Sequence, residues 1–568
     1  MKILGISAYY HDSSSALLVD GTVVSAAQEE RFTRVKHDSS FPGNAIKFCL
    51  DYAGLKLDDI DVVVFYEKPF LKFERILTSQ IATFPKSLPM FLKTTPIWLK
   101  DKLNMRGLIS KELNARFGCK PKSIKFVEHH LSHAAFAYCT SGYEDADVLV
   151  VDAVGEWSTT SIWHVRNGRF EIIKEQRFPD SIGMLYSAFT QFLGFKVNSD
   201  EYKVMGLAPY GNPNDDETQR FISLIQSEIL SDEEGFALLN LSYFSYQYGD
   251  KMIKKTKWEK LFGITQRTKN DEITPSHKNL AYAIQYVIEV LLLKIVQSMR
   301  KDSNCQNLCI CGGVALNCVA NGLLQKERIY SNVYVPFAPG DCGCSVGAAL
   351  AYDNLAENRS KYTVSPYTGP QYRDPEIAEV LNAYGLEYTC VDSVDTLCLT
   401  TAKLISEGNI VGWYQGRMEL GPRALGNRSI LADARNPLMK DLVNSRIKFR
   451  ESFRPFAPSV LEEDAESLFL NCQDSAYMMF TFPVVDNSIP AVTHVDGTAR
   501  VQTVSKKDNE LYYKLLKSFK ALTGCPALLN TSFNVMGEPI VCTPEDAVKT
   551  FKKCGLDYLI IGSFIVKK

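Results

Sequence analysis

No CxxC pair occurs anywhere in these 568 residues, although the chain has fifteen cysteines, which disfavours a zinc knuckle. Most of the cysteines lie among apolar or glycine-rich neighbours, as at Cys309, Cys311, Cys318, Cys342 and Cys344. That setting suits reduced, buried thiols better than a disulfide framework. A GxxxxGK[ST] phosphate loop and a GxGxxG fingerprint are also missing, which removes the two commonest nucleotide-binding signatures. Charge of one sign is lacking: the formal net charge is −2, without the basic excess that a polyanion-coating surface needs, and nucleic acid is not expected as a partner. Met1–Tyr10 carries one lysine and a short apolar run with no cleavage pattern behind it, so a cytoplasmic location is expected. The longest apolar helical stretch, Asn279 to Arg300, is interrupted by Gln285, Glu289, Lys294 and Gln297. It is expected to be a buried helix, with no membrane association.

What remains is ample apolar material, 46% of the chain, and a length beyond what one hydrophobic core usually organises. Two domains are expected, residues 1–360 and 366–568, divided in the polar, proline-containing stretch Asn354–Asp374. The first domain opens with a strand at Lys2–Ser7, a polar loop through His11 and Asp12, and strands at Ala16–Val19 and Val23–Ala27 around the turn Asp20-Gly21. The strand Asp61–Tyr66 follows. The pattern recurs as the strand Val148–Asp152, a loop, and strands Thr159–Val165 and Phe170–Gln176 around Asn167-Gly168. The fold class expected is α/β: a duplicated, actin-like metal- and nucleotide-binding domain followed by a second α/β domain, although two unrelated hairpins in one α/β protein have the same spacing. Between the copies, residues 70–117 are expected to be an inserted set of helical pieces. Strands at Ile410–Tyr414, Ala527–Leu529 and Tyr558–Val566 are expected in the second domain.

Histidine is scarce, with eight in the chain, yet three fall within Glu128-His129-His130-Leu131-Ser132-His133. On a helix, His129 and His133 project four residues apart from one face and are positioned to grip one metal ion; a polar helix end with solvated imidazoles has the same pattern. The zinc-protease arrangement needs a Glu where His130 stands, so a metalloprotease is disfavoured. Oxygen ligands must complete such a shell, and Asp152 at a strand end and Asp341 in a glycine-rich loop are the candidates. The turn Cys311-Gly312-Gly313, running on to Asn317, offers free backbone N–H groups to a phosphate, or is a plain strand-to-helix turn. From Arg417 to Arg454 there are nine Lys or Arg, Arg423 among them, against four Asp or Glu. They are interleaved with Gly, Pro and Phe, which fits a polyanion pocket as well as a solvated basic face. His494–Arg500 and Asn530–Asn534 add an arginine and hydroxyl or amide groups.

These segments, together with Glu29-Glu30-Arg31-Phe32-Thr33-Arg34 and Glu201-Tyr202-Lys203-Val204-Met205-Gly206-Leu207-Ala208-Pro209-Tyr210-Gly211, resemble the NodU/CmcH family of O-carbamoyltransferases over nearly the whole chain. The resemblance implies a first domain similar to the metal- and ATP-binding protein of tRNA threonylcarbamoyl synthesis and a YrdC-like second domain. It implies that carbamoyl phosphate and ATP, with Mg as the nucleotide's companion, give carbamoyl-adenylate at Lys448, Arg454, Arg500, Asn530 and Ser532. It further implies that the carbamoyl group then passes to a hydroxyl of a small natural-product acceptor. His129, His133, Asp152 and Asp341 match an iron-type metal site, His11 matches the general base, and Gly312 and Gly313 lie along the adenylate phosphate. A homodimer is the family-level expectation. Two other readings remain: an actin-like sugar or metabolite kinase that makes ADP, and a non-catalytic nucleotide-dependent scaffold, which needs neither the His pair nor the basic segment.

Overall fold

The computed structural model describes residues 1–98, 103–357, 359 and 361–568, without the side chain of Ile97. The chain forms two compact units, Met1–Ser25 with Ser39–Val364, and Ala26–Asp38 with Ser365–Lys568.

The first unit contains two five-stranded sheets of one topology. Strands β1 (Lys2–Ser7), β2 (Ser14–Val19), β3 (Thr22–Gln28), β4 (Val62–Phe65) and β5 (Ile124–Phe126) stand in the order β3-β2-β1-β4-β5. Strands β6 (Asp145–Val151), β7 (Ser158–Arg166) and β8 (Arg169–Arg177) follow, then the hairpin of β9 (Leu230–Glu233) and β10 (Phe236–Leu239), then β11 (Asn307–Cys311) and β12 (Asn332–Tyr334). The second sheet runs β8-β7-β6-β11-β12. In each, a hairpin lies antiparallel to the central strand, and two further strands add in parallel on its other side. Both hairpins turn through two residues with positive φ, Asp20-Gly21 (46° and 83°) and Asn167-Gly168 (49° and 78°). Asp and Asn tolerate that conformation and Gly adopts it freely, which matches the right-handed strand twist. The internal duplication is thus a property of the backbone.

Among the described residues, the inserted segment holds the helices α1 (Pro69–Ala82), α2 (Leu88–Ile97) and α3 (Met105–Phe117). Helix α4 (His129–Ser141) follows β5. Helix α5 (Pro275–Lys301) opens on Thr274, whose hydroxyl accepts from the His277 N–H. Its length and composition would allow it to cross a bilayer, but 67% of its most apolar window is buried inside the protein. Helices α6 (Cys318–Lys326) and α7 (Cys344–Glu357) complete the set that shapes the site. Helices α4 and α7 pack closely, because Gly347 lets the α7 backbone meet the Ser132 carbonyl of α4.

In the second unit, β13 (Tyr388–Cys390), β14 (Val411–Tyr414), β15 (Arg428–Asp433) and β16 (Ala457–Leu461) are followed by β17 (Thr481–Pro483), β18 (Thr498–Arg500), β19 (Gln502–Val504), β20 (Ala527–Ser532), β21 (Tyr558–Ile561) and β22 (Phe564–Lys567). Eight of them form one mixed sheet, β13-β22-β21-β14-β15-β20-β16-β19, and β17 pairs with β18. The single closing strand expected over Tyr558–Val566 is instead a hairpin, since Gly562 takes φ 54° and reverses the chain between Ile561 and Phe564. The undivided run 1–360 is also corrected, because residues 26–38 pack with the second unit. There Arg31 donates to the Gly421 carbonyl (2.7 Å), and Arg34 donates to the carbonyls of Ile540 (2.7 Å) and Pro539 (2.8 Å). Guanidinium groups satisfied by carbonyls nearly 400 and more than 500 residues away leave no local sequence pattern.

Candidate functional site

In the first unit, three chain segments converge on one buried point. Helix α4 starts after Glu128, which stays extended (ψ 141°), so His129 and His133 fall on the same helical face with their Nε2 atoms 3.2 Å apart. Two imidazole nitrogens in that relation are satisfied by one shared proton or by a cation. Strand β6 runs out at Val151 and presents Asp152, whose Oδ2 lies 2.9 Å from His129 Nε2 and 3.9 Å from His133 Nε2. The turn before α7 presents Asp341, whose Oδ1 lies 3.7 Å and 3.6 Å from the same two nitrogens. Metal–ligand bonds of about 2.0–2.2 Å put neighbouring ligand atoms roughly 3.0–3.6 Å apart, close to the spacings found here. The other Asp341 oxygen, Oδ2, is buried without a hydrogen bond, an unsatisfied acceptor that a cation or its bound water would relieve.

The electrostatics agree with a cation site. Burial raises the Asp152 carboxyl, but the hydrogen bond with His129 and the charges of His129 and His133 outweigh it and hold the group well below the usual carboxylate range. Asp341 is likewise lowered against its burial by His11 and His129. Two ionised carboxylates in a closed pocket require positive charge beside them. The donor set of two imidazoles and two carboxylates fits a divalent ion such as Fe(II), Zn(II) or Mn(II).

Around this set, His11 donates its Nδ1–H to Asp12 Oδ2 at 3.0 Å and holds Nε2 3.7 Å from Asp341 Oδ2. Burial pulls its imidazole down, yet Asp341 and Asp12 prevail and raise it to about 9. His130 turns away to Ser161 (2.7 Å) and stays neutral, because burial pushes its pKa well below the ordinary value. Gly313 donates its N–H to Asp152 Oδ1 (3.2 Å). Gly312 takes φ 92°, and a Cβ there would stand 2.2 Å from the Val151 carbonyl oxygen, so only glycine fits this turn. Asn317 is committed elsewhere: its side chain caps α6 at Ala320 (3.1 Å) and pairs with Gln285 (3.0 and 3.1 Å). These bonds fix the side chain and position the turn. Cys344 Sγ lies 3.4 Å and 3.5 Å from the two nitrogens of His133. Near-equal distances place the sulfur over the imidazole face, and Cys344 Sγ lies within 4.8 Å of ligand atoms of His129, His133 and Asp341, so the thiol is a further candidate donor to an ion held there.

The second unit gathers a cationic cluster. Lys448 is 4% exposed, and its ammonium donates to the Ser532 carbonyl, to Asn534 Oδ1 (2.9 Å) and to the Asn534 carbonyl (3.0 Å). These acceptors are all neutral. Burial, then the charges of Arg450 and Arg454, push its pKa well below the lysine value. Arg454 lies 3.6 Å from Glu451. Asn530, two residues before Ser532 and on the same face of β20, donates to Ser459 (3.0 Å), Gln502 (3.0 Å) and the Ala424 carbonyl (3.2 Å), which ties the Arg423–Leu425 loop to the strand. Arg500, on β18, acts on His494, whose imidazole is pushed down to about 4 by burial and by that positive charge. Several of these basic side chains are committed to structural partners. Arg428 is fully buried over the Tyr414 ring at 3.7 Å and donates to carbonyls, and Arg417, Arg435 and Arg446 are tied to Gly369, Asp433 and Asp557.

Family models described as Carbamoyltransferase N-terminus and Carbamoyltransferase C-terminus match residues 2–350 and 402–568. The chain belongs to the carbamoyltransferase family. An uncharacterized protein of Synechocystis sp. is 43% identical, the match covering 100% of this chain and 96% of that relative. Nodulation protein NolNO of Sinorhizobium fredii is 38% identical over 99% of this chain and 80% of its own length, and Nodulation protein U of Rhizobium tropici is 29% identical over 94% and 91%. Among solved structures, full-length HypF in its phosphate- and nucleotide-bound form aligns with 63% of this chain and 56% of its own at 13% identity and a TM-score of 0.32. A ROK hexokinase from Thermus thermophilus aligns with 62% of this chain and 100% of its own at 14% identity and a TM-score of 0.29.

Membership of this transferase family came from motifs, whereas several groups around the two candidate sites had no sequence signal. Cys344 behind His133, and Glu156 under the α4 N-terminus, are brought in by tertiary packing alone. His494 is legible only as part of a polar segment.

Proposed function

We propose that this carbamoyltransferase works in two half-reactions. In the second unit, YrdC-like in this reading, carbamoyl phosphate and ATP yield carbamoyl-adenylate, with phosphate and pyrophosphate released. In the first unit, actin-like in this reading, the carbamoyl carbon passes to the hydroxyl of a small-molecule acceptor and AMP leaves. With the one water consumed when phosphate is released, the sum is carbamate ester, AMP, pyrophosphate and phosphate.

The observation that carries the reading is the meeting of His129, His133, Asp152 and Asp341 within hydrogen-bonding or near-bonding distance. These four residues would hold a divalent metal, Fe(II) by resemblance. When bound, it would supply a Lewis acid for the carbonyl or phosphate oxygens of the adenylate. His11, anchored through Asp12, is the candidate general base: a cation held by Asp341 would offset the carboxylate charge that keeps its imidazole protonated, and the neutral ring can then take the acceptor's proton. Gly312 and Gly313 line the adenylate phosphate. Lys448, with Arg454, Arg500 and Arg423, offsets the repulsion between two polyanions; Asn530 and Ser532 hold the wall of that pocket.

Incubation with ATP, carbamoyl phosphate and a panel of hydroxylated acceptors, followed by mass spectrometry, tests this. A mass gain of one carbamoyl group with AMP and pyrophosphate supports the scheme. Stoichiometric ADP with a phosphorylated acceptor refutes it in favour of a kinase.

A further inference from the structure

Metal-binding histidines usually fix their ring by donating the second nitrogen to a carboxylate or carbonyl. His129 does not: its Nδ1 is buried without a hydrogen bond. Its orientation is imposed otherwise. Both Glu156 oxygens accept the His129 backbone N–H (3.0 and 3.1 Å), and Glu156 Oε1 also accepts the Lys68 N–H (2.7 Å). Glu156 is 5% exposed. Its neighbour Gly155 lies directly against the His129 ring, where a Cβ would come within 2.9 Å of Cδ2. Tyr66 closes the other side edge-on, 5.3 Å between centroids. Arg75, from α1 of the insertion and 9% exposed, donates to the Gly155 carbonyl at 2.9 Å. The loop 152–157 therefore carries a candidate ligand, Asp152, at one end and the anchor of the His129 helix at the other, and the insertion clamps it in the middle.

We infer that Glu156 is a positioning residue of the metal centre, and that Arg75 makes the insertion part of that centre's support. A carboxylate at a helix N-terminus is favoured by the unpaired N–H groups and the helix dipole. Here it also sets where α4 begins, and so where both histidines point. The inference rests on the metal reading proposed above.

Co(II) titration of the full-length apoprotein tests both and separates them. Wild-type protein is expected to bind Co(II) with a defined visible spectrum. Glu156→Gln, which presents an amide N–H to one of two backbone donors, is expected to weaken Co(II) about 10- to 100-fold and to change that spectrum; Glu156→Asp is expected to recover part of both. Arg75→Met is expected to weaken binding several-fold, and it decides the matter should Glu156→Gln fail to fold. Wild-type affinity and spectrum in the folded variants would overturn the inference while leaving the metal reading intact. Absence of Co(II) binding by the wild-type protein would sink the metal reading first, and this inference with it.

Discussion

Replacing Gly347 by alanine tests whether the metal centre is built by the crossing of two helices. An alanine Cβ would stand 1.9 Å from the Ser132 carbonyl oxygen and 3.1 Å from Phe136 Cβ. An ordinary contact between carbon and oxygen is about 3.2 Å, so α7 and α4 must part by roughly 1.3 Å, at an overpacking cost of about 1–3 kcal/mol. Ser132 lies between His129 and His133, and Gly347 follows Asp341 by six residues. The same displacement stretches the His133–Asp341 separation, now 3.6 Å, to about 5 Å. Two ligands on opposite sides of one ion span at most about 4.4 Å, so Asp341 and the histidines no longer share it. Gly347→Ala is therefore expected to stay folded, to melt roughly 2–6 °C lower, and to lose Co(II) binding by at least tenfold although no ligand has been touched. Gly249→Ala, where the nearest atom is 3.5 Å away, serves as the control. Wild-type Co(II) affinity in Gly347→Ala, measured by equilibrium dialysis and metal analysis, would refute the helix-crossing account.

The two half-reactions separate by mutation: Asp341→Asn is expected to abolish acceptor carbamoylation while ATP- and carbamoyl phosphate-dependent pyrophosphate release persists, whereas Lys448→Met abolishes both. Equal loss of both activities in Asp341→Asn would contradict two independent sites. Because the Lys448 pKa is depressed by burial and by Arg450 and Arg454, the unfolded chain binds more protons than the folded one between that lowered value and the lysine value. Its contribution to stability accordingly increases as pH rises through that window, and Lys448→Met should flatten the rise in urea midpoint above neutrality. His11 works with the opposite sign. Raised to about 9, it stabilises the apoprotein fully below about 6.5 and loses that contribution as pH climbs through the raised value. Apoprotein melting temperature should fall over that interval, and His11→Asn should remove part of the fall.

Local chemistry decided a good deal in this chain. The spacing of His129 and His133 puts two imidazoles on one side of any helix, and Asp20-Gly21 and Asn167-Gly168 select two-residue hairpin turns wherever they occur. The long helix around Asn279–Arg300 was legible as a helix from its apolar run, whereas its burial inside the protein was decided by the fold. The family was equally legible, because its motifs are contiguous.

Other features depend on atoms distant in sequence. Residues 26–38 join the second unit because Arg31 and Arg34 find their acceptors at Gly421, Pro539 and Ile540. Arg428 looked like part of a phosphate-binding run but is a buried brace for the Tyr414 ring. Asn317 was spent on a helix cap and on Gln285, 32 residues upstream. Glu156 beneath His129, and Cys344 over His133, could not be anticipated from either residue's neighbours. Periodicity and turn chemistry act over a few residues and are written in the sequence directly. Satisfying a buried donor, an acceptor or a charge depends on which distant backbone groups the closed fold brings within 3 Å, and only the tertiary structure decides that.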